Sequence, residues 1–217
     1  MSSINKLDKQ FFVDSLKGMA KLSEEQRDHW TKLDSDIGDG DHGINLSIGF
    51  RGIMDKIDQL DEENSDINSL LKKSGMILLS KVGGAAGPLY GSFFMKMGGN
   101  YPDRTEVTFS EFLDMIRTGI EAVQFRGKAE LGDKTMIDAF LPGLKLINDY
   151  QKSEDPLSFF DSFVRAMRAG SDATIPLVAK KGRAMRLGER AIGHRDPGSD
   201  SSWMLMNVFD QELKKRS

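Results

Sequence analysis

Residues 33–50 read LDSDIGDGDHGINLSIGF. Asp34, Asp36, Asp39 and Asp41 fall within eight positions, interleaved with Gly38, Gly40 and Gly43. Like charges packed so closely repel one another, so either the segment is well solvated or a positive group sits among them. Carboxylate oxygens are the ligands of hard cations, and neighbouring carboxylates can share them. A calcium EF-hand fails on spacing: counted from Asp34, the sixth position is Asp39 rather than glycine, and the twelfth is Asn45 rather than glutamate. Magnesium fits better, since it takes one or two carboxylates and completes its shell with water and phosphate. A solvated turn, with Asp41 or His42 capping the next helix, explains the same residues, and composition leaves both readings open. The stretch from His42 onward reads as a helix whose free N–H groups point back at the acids. A phosphate bridged to them by Mg²⁺ would lie within reach of His42 and Asn45.

Outside this loop the period is helical. Leu7, Phe11, Leu16 and Met19 step by three to five residues from Ile4. Ile67, Leu70, Leu71, Ile77, Leu78 and Val82 form a three-four stripe, as do Phe109, Phe112, Leu113, Ile116, Ile120 and Val123. Strand-like alternation is nowhere sustained. Helices are expected at about 4–20 (with a continuation to 33), 43–58, 66–82, 88–98, 108–126, 134–151, 156–180 and 198–214. Ser23–Gln26 and Thr108–Glu111 read as capping boxes. Gly127 suits a helix end, Pro88 and Pro156 suit first turns, and Pro142 and Pro176 are expected to kink their helices. With no linker, repeat or low-complexity tract, the expectation is one all-α domain over residues 1–217, built from about eight antiparallel amphipathic helices.

The chain has 217 residues, a formal net charge of -3 and no cysteine. Thiolate zinc sites and a cysteine nucleophile are therefore excluded. No long basic run marks a nucleic-acid binder. The amino-terminal residues lack the apolar run of a signal peptide, and no segment reaches the ~18 apolar residues of a membrane span. A soluble, cytoplasmic protein is expected, without nucleic-acid or membrane partners.

Three further connections carry chemistry. In SKVGGAAGPLYGSFF, residues 80–94, small residues from Gly83 to Gly87 admit close approach of backbone to a ligand, though a tight helix–helix turn explains them equally. It is not a Walker A loop, because no Gly-Lys-Ser/Thr follows. In FRGKAELGDKTMIDAF, residues 125–140, Lys128 and Lys134 are available to anions, and Met136 offers a soft surface to a flat ring or simply packs in the core. Residues 179–202 hold Lys180, Lys181, Arg183, Arg186, Arg190 and Arg195 beside a DPGS turn. Arginine suits phosphate because its donors form a planar fork, and a solvated basic loop accounts for most of the six. In an up-and-down helical arrangement, alternate connections share one end, so these loops can converge on a polyphosphate.

Four segments in this order, IGDGDHGINL, KSGMILLSKVGGAAGPLYGSFF, RGKAELGDKTMIDAF and KKGRAMRLGERAIGHRDPGS, resemble the nucleotide-binding L subunit of dihydroxyacetone kinases nearly end to end. The resemblance implies a barrel of eight helices with ADP or ATP at one end. It implies that Asp34, Asp39 and Asp41 hold two Mg²⁺ ions against the diphosphate, with Asp36 outside that shell. His42, Gly43, Ile44, Asn45, Ala85 and Ala86 correspond to nucleotide-contacting segments. Gly127, Met136, Arg183 and the Asp196-Pro197-Gly198 turn correspond to the rest of the pocket, with Arg183 the candidate for stabilising the phosphate. The chain reads GGAAGP where GGASGP is usual, and it places Met185, Arg186 and Arg195 near the expected active face, departures that bear on the choice of ketose. His29 and His194 receive no catalytic role.

The resemblance implies two chemistries. In one, ATP is an ordinary substrate. In the other, bound ADP is recharged by a phosphohistidine-carrying M subunit of the phosphotransferase system. A chain of this length is expected to meet its ketose on a separate K subunit, which favours the recharged-ADP version. A split ATP-dependent kinase and a non-catalytic nucleotide-sensing adaptor are the alternatives. The motifs leave room for a homodimer.

Overall fold

The three-four stripes become the inner faces of packed helices. The computed structural model describes residues 6–63 and 66–217, so Ile4 lies outside the described residues. Strand β1 (Lys6–Asp8) leads into α1 (Lys9–Glu25), α2 (Arg27–Ile37), α3 (His42–Met54), α4 (Ile57–Glu63), α5 (Ile67–Lys81) and α6 (Ala86–Met97). Strand β2 (Glu106–Thr108), α7 (Phe109–Gly127), α8 (Met136–Asp149) and α9 (Pro156–Ala173) follow. A 3-10 segment (Arg183–Ala191) then precedes α10 (Pro197–Lys214). Packing runs α1–α3–α5–α6–α7–α8–α10 and back to α1, a closed circuit, with α9 against α8 and α10 and α2 against α3. The architecture is all-α, as expected.

Inside the circuit the core is rich in phenylalanine. Phe112 of α7 meets Phe11 of α1 edge-on at 5.3 Å, Phe209 of α10 at 5.2 Å and Phe160 of α9 in a stack at 5.5 Å. Four helices thus share one aromatic cluster, whose contacts add to the large apolar area that it removes from water.

Several local expectations need correction. The two strands pair antiparallel, with Leu7 opposite Val107; at three residues each they are too short to show alternation. Ser23 does not cap a helix. It lies within α1, where its hydroxyl donates to the Met19 carbonyl at 2.8 Å, and the chain breaks at Gln26 before α2 begins. The helix expected to 58 stops at Met54, and α4 was not anticipated. The helix expected to 180 ends at Ala173, so Pro176 follows its helix rather than kinking it, in keeping with proline's lack of an N–H. The Thr108–Glu111 capping box is present.

Pro142 does lie inside α8, where it cannot donate to the carbonyl of Asp138. Gly170 of α9 packs on that carbonyl so closely that a Cβ would stand 2.1 Å from its oxygen. The proline frees the acceptor, and the glycine lets the neighbouring helix cover it.

Candidate functional site

Asp34 sits in the last turn of α2 and is 9% exposed. Its Oδ2 accepts the backbone N–H groups of Asp41 at 2.8 Å and His42 at 3.1 Å. One carboxylate therefore closes the loop and caps α3, the role that the solvated-turn alternative gave to Asp41 or His42. Asp39 and Asp41, in the loop, turn toward the same point, and one oxygen from each of the three acids lies within 4.8 Å of the others. Asp36 is turned away: it binds Lys32 at 2.9 Å and faces His194 at 3.6 Å. The bonded Lys32 ammonium holds its carboxyl below the usual carboxylate range.

A cation already stands against two of the three acids. The Arg183 guanidinium contacts Asp39 and lies 3.7 Å from Asp41. Three hard oxygen donors balanced by a positive side chain form a donor set that fits Mg²⁺.

The trio opens onto a cavity of about 310 Å³, walled also by Asn45, Gly83–Ala86, Lys181, Arg183 and Arg186. Beside it lies a second cavity of about 500 Å³ with a more apolar wall, including Leu89, Val123, Gly127, Met136, Ile137 and Gly198. His42, Ala85, Ala86, Asp196 and Pro197 border both. Helix α6 begins at this junction, and its N-cap, Ala85, offers no side-chain acceptor. Its first N–H groups are the kind that an anion satisfies.

His42 donates to or accepts from Ser201 Oγ at 2.8 Å, and Ser201 also meets the Tyr90 hydroxyl at 2.7 Å. Burial pushes the His42 imidazole down to about 4, against the pull of Asp34 and Asp200, so the ring is neutral at pH 7. Asp196 caps α10 through the Ser199 N–H at 2.6 Å, yet burial raises its carboxyl to about 7. Because the unfolded carboxyl titrates near 4, the fold binds the extra proton between about pH 4 and 7, and the contribution of Asp196 to stability falls as pH rises through that window. Asp196→Asn is expected to flatten that part of the stability–pH curve, as urea unfolding from pH 5 to 8 would show.

Two residues expected at the nucleotide do not border either cavity. Ile44 points outward and is 45% exposed. Gly43 is buried at the α2–α3 contact, where a Cβ would stand 2.0 Å from the Arg27 carbonyl oxygen. Gly43→Ala should cost about 1–3 kcal/mol of stability through this clash, read from its urea midpoint. Lys134 borders the polar cavity, but its ammonium is bonded to backbone carbonyls rather than turned free toward an anion. Arg195 is no part of the cavity face and binds Asp172 and, at 2.9 Å, Asp200. Met185 is exposed, and Arg186 does line the polar cavity.

Sequence reasoning missed Asp200. Its buried carboxylate accepts from Trp30 Nε1 at 3.2 Å, Trp203 Nε1 at 3.0 Å and Arg195, and pairs with His29 Nε2 at 2.9 Å. The helix expected at 198–214 includes it, but its partners Trp30 and His29 lie 170 and 171 positions away, beyond any local pattern.

The model of the DAK2 domain family matches residues 36–211. The chain belongs to this family. Its relatives include the ADP-binding subunit of PEP-dependent dihydroxyacetone kinase 2 from Listeria innocua, 63% identical over 96% of this chain and 97% of that one. The corresponding ADP-binding subunit from Escherichia coli is 38% identical over 96% and 99%. That of the PTS-dependent kinase from Lactococcus lactis is 41% identical over 90% and 94%. Among solved structures, the dihydroxyacetone kinase of C. freundii in its native form is similar, with a TM-score of 0.69 and 25% identity over 93% of this chain. The chain spans 34% of that longer enzyme. Among the described residues no helix is long and apolar enough to cross a membrane.

Proposed function

We propose that the whole chain acts as one L-type unit, the ADP-binding subunit of a phosphoenolpyruvate-dependent dihydroxyacetone kinase working in the cytoplasm. It receives a phosphoryl group from a phosphohistidine-carrying M subunit onto bound ADP, and passes it to dihydroxyacetone held on a K subunit. The functions of the three subunit relatives support this reading. The observation that carries it is the position of the Asp34–Asp39–Asp41 trio on a polar cavity that shares its wall with a more apolar one.

Asp34, Asp39 and Asp41 would hold Mg²⁺, two ions by family resemblance, which when bound supplies positive charge to the phosphate oxygens. Asp34 is fixed in place by the two N–H groups it accepts. The uncapped start of α6 donates backbone N–H groups to phosphate. Arg183, standing against the acids, is placed to stabilise the charge of the transferring group. Neutral His42 lines the junction and is held by Ser201. In the apolar cavity, Leu89, Val123 and Met136 take the flat face of the base. No side chain here is asked to carry the phosphoryl group covalently. Phe125 is 86% exposed beside the cavity-lining Arg126 and Gly127, and Met185 is 54% exposed beside Arg186, giving partner subunits apolar footing near the opening.

The test is the nucleotide content of the protein as purified, released by denaturation after long dialysis. Stoichiometric ADP is the expected result. An empty protein that turns over free ATP with a K subunit would make it a split ATP-dependent kinase. An empty, inactive protein would leave only the adaptor role.

A further inference from the structure

Lys134 stands just before α8 with a positive φ of 61° and is 1% exposed. Its ammonium meets five backbone carbonyls. Thr174 (2.8 Å), Ile175 (3.5 Å) and Leu177 (3.1 Å) approach from one stretch of chain, and Ala191 (2.8 Å) and His194 (2.5 Å) from another. An ammonium has three donors, so the oxygens share them around one buried charge. Desolvation lowers its proton affinity, while Asp196 and Asp138 support the charged form.

The two stretches are the roots of a strap, residues 178–190. The strap carries Lys181, Gly182, Arg183 and Arg186 across the polar cavity. Its described side-chain ties are Arg183 against Asp39 and Asp41 and Lys180 at 3.9 Å from Asp133. Its apolar contact is a small cluster of Ile37, Ala179 and Ala191, with Ala184 and Leu187 at the edge. At the neck, Lys180 N–H donates to Asp133 O at 3.0 Å and Gly193 N–H to Ile175 O at 2.8 Å.

We infer that Lys134 is a positioning residue that ties the two roots of the strap together and thereby sets how long a nucleotide stays in the cavity. The second half rests on the nucleotide reading above; the first does not. Lys134 borders the polar cavity, but its ammonium is taken up by backbone carbonyls. It fixes the backbone from which Arg183 reaches the acids.

Amide hydrogen exchange of the full chain without nucleotide, together with ADP dissociation measured by stopped flow, tests this. In Lys134→Met, which keeps the length of the side chain but not its donors, the Lys180 and Gly193 amides are expected to exchange on the order of tenfold faster or more. Amides in the middle of α1 and α7 should keep wild-type rates, and ADP should leave faster by a similar factor. Unchanged neck amides overturn the inference, and so does uniform acceleration across the chain. A loosened neck with unchanged ADP dissociation overturns the link to retention. Should the variant not fold, the wild type decides: its two neck amides should open only with global unfolding, and exchange like that of a surface loop refutes the tie. A wild type that binds no ADP removes the proposed function instead, and the neck amides still report on the tie.

Discussion

Asp39→Asn is expected to lower turnover with the partner subunits by about two to three orders of magnitude while leaving the protein folded. Asp39 separates these two effects because it lies in the loop and bonds no backbone N–H among the described contacts; its partner is the Arg183 guanidinium. The substitution removes one of three clustered negative charges and one hard oxygen donor but opens no hole in the core. Relief of repulsion from Asp34 and Asp41 opposes the loss of the Arg183 pair, which is exposed and so contributes little. The urea midpoint should therefore hardly move. Asp34→Asn differs in kind, because the same carboxylate also closes the loop onto α3. The measurement is turnover against Mg²⁺ concentration, with ADP binding alongside. Full activity and unaltered nucleotide binding in Asp39→Asn would remove the trio as the metal centre.

The largest stability effect is expected behind the cavity wall, at Asp200. Asp200→Ala should cost about 3–5 kcal/mol, the usual loss when one partner of a buried charge network disappears. Arg195 would keep its pair with Asp172, but its Nη1 and the indole N–H groups of Trp30 and Trp203 would lose their acceptor. Trp30 is wholly buried, so water cannot replace the carboxylate there without opening the core. Asp200→Asn should cost less, since an amide oxygen still accepts, although the charge opposite Arg195 is gone. Urea unfolding with an unchanged m-value would give the difference directly. A loss below about 1 kcal/mol in the alanine variant would mean that these donors find other partners.

The sequence was most informative where cause and effect are close in the chain. Helical stripes such as Phe109–Val123 and the Thr108–Glu111 cap depend on neighbours three or four residues away, and both stand in the structure. The acid loop and the small-residue turn at Gly83–Ala86 were also visible, because charge repulsion and missing side chains are local properties. Long-range placement was not. Gly43 and Ile44 follow the acids directly, but the helical turn directs one into the contact with α2 and the other to solvent. Lys134 read as an anion ligand because the carbonyls that surround it belong to residues at least 40 positions later. The two strands, α4 and the 3-10 strap are short, and a period cannot be read from so few residues.

The chain has two tryptophans, and both give their indole N–H to one carboxylate, that of Asp200. Trp30 also lies edge-on to His42, their ring centres 6.5 Å apart, where the polar and apolar cavities meet. Trp203 is covered by the Arg168 guanidinium at 5.3 Å. The molecule's ultraviolet emission therefore originates from a single neighbourhood, with one fluorophore separated from the cavity by an imidazole. Whatever enters beside His42 changes the surroundings of that indole, giving the unlabelled protein an optical signal of occupancy.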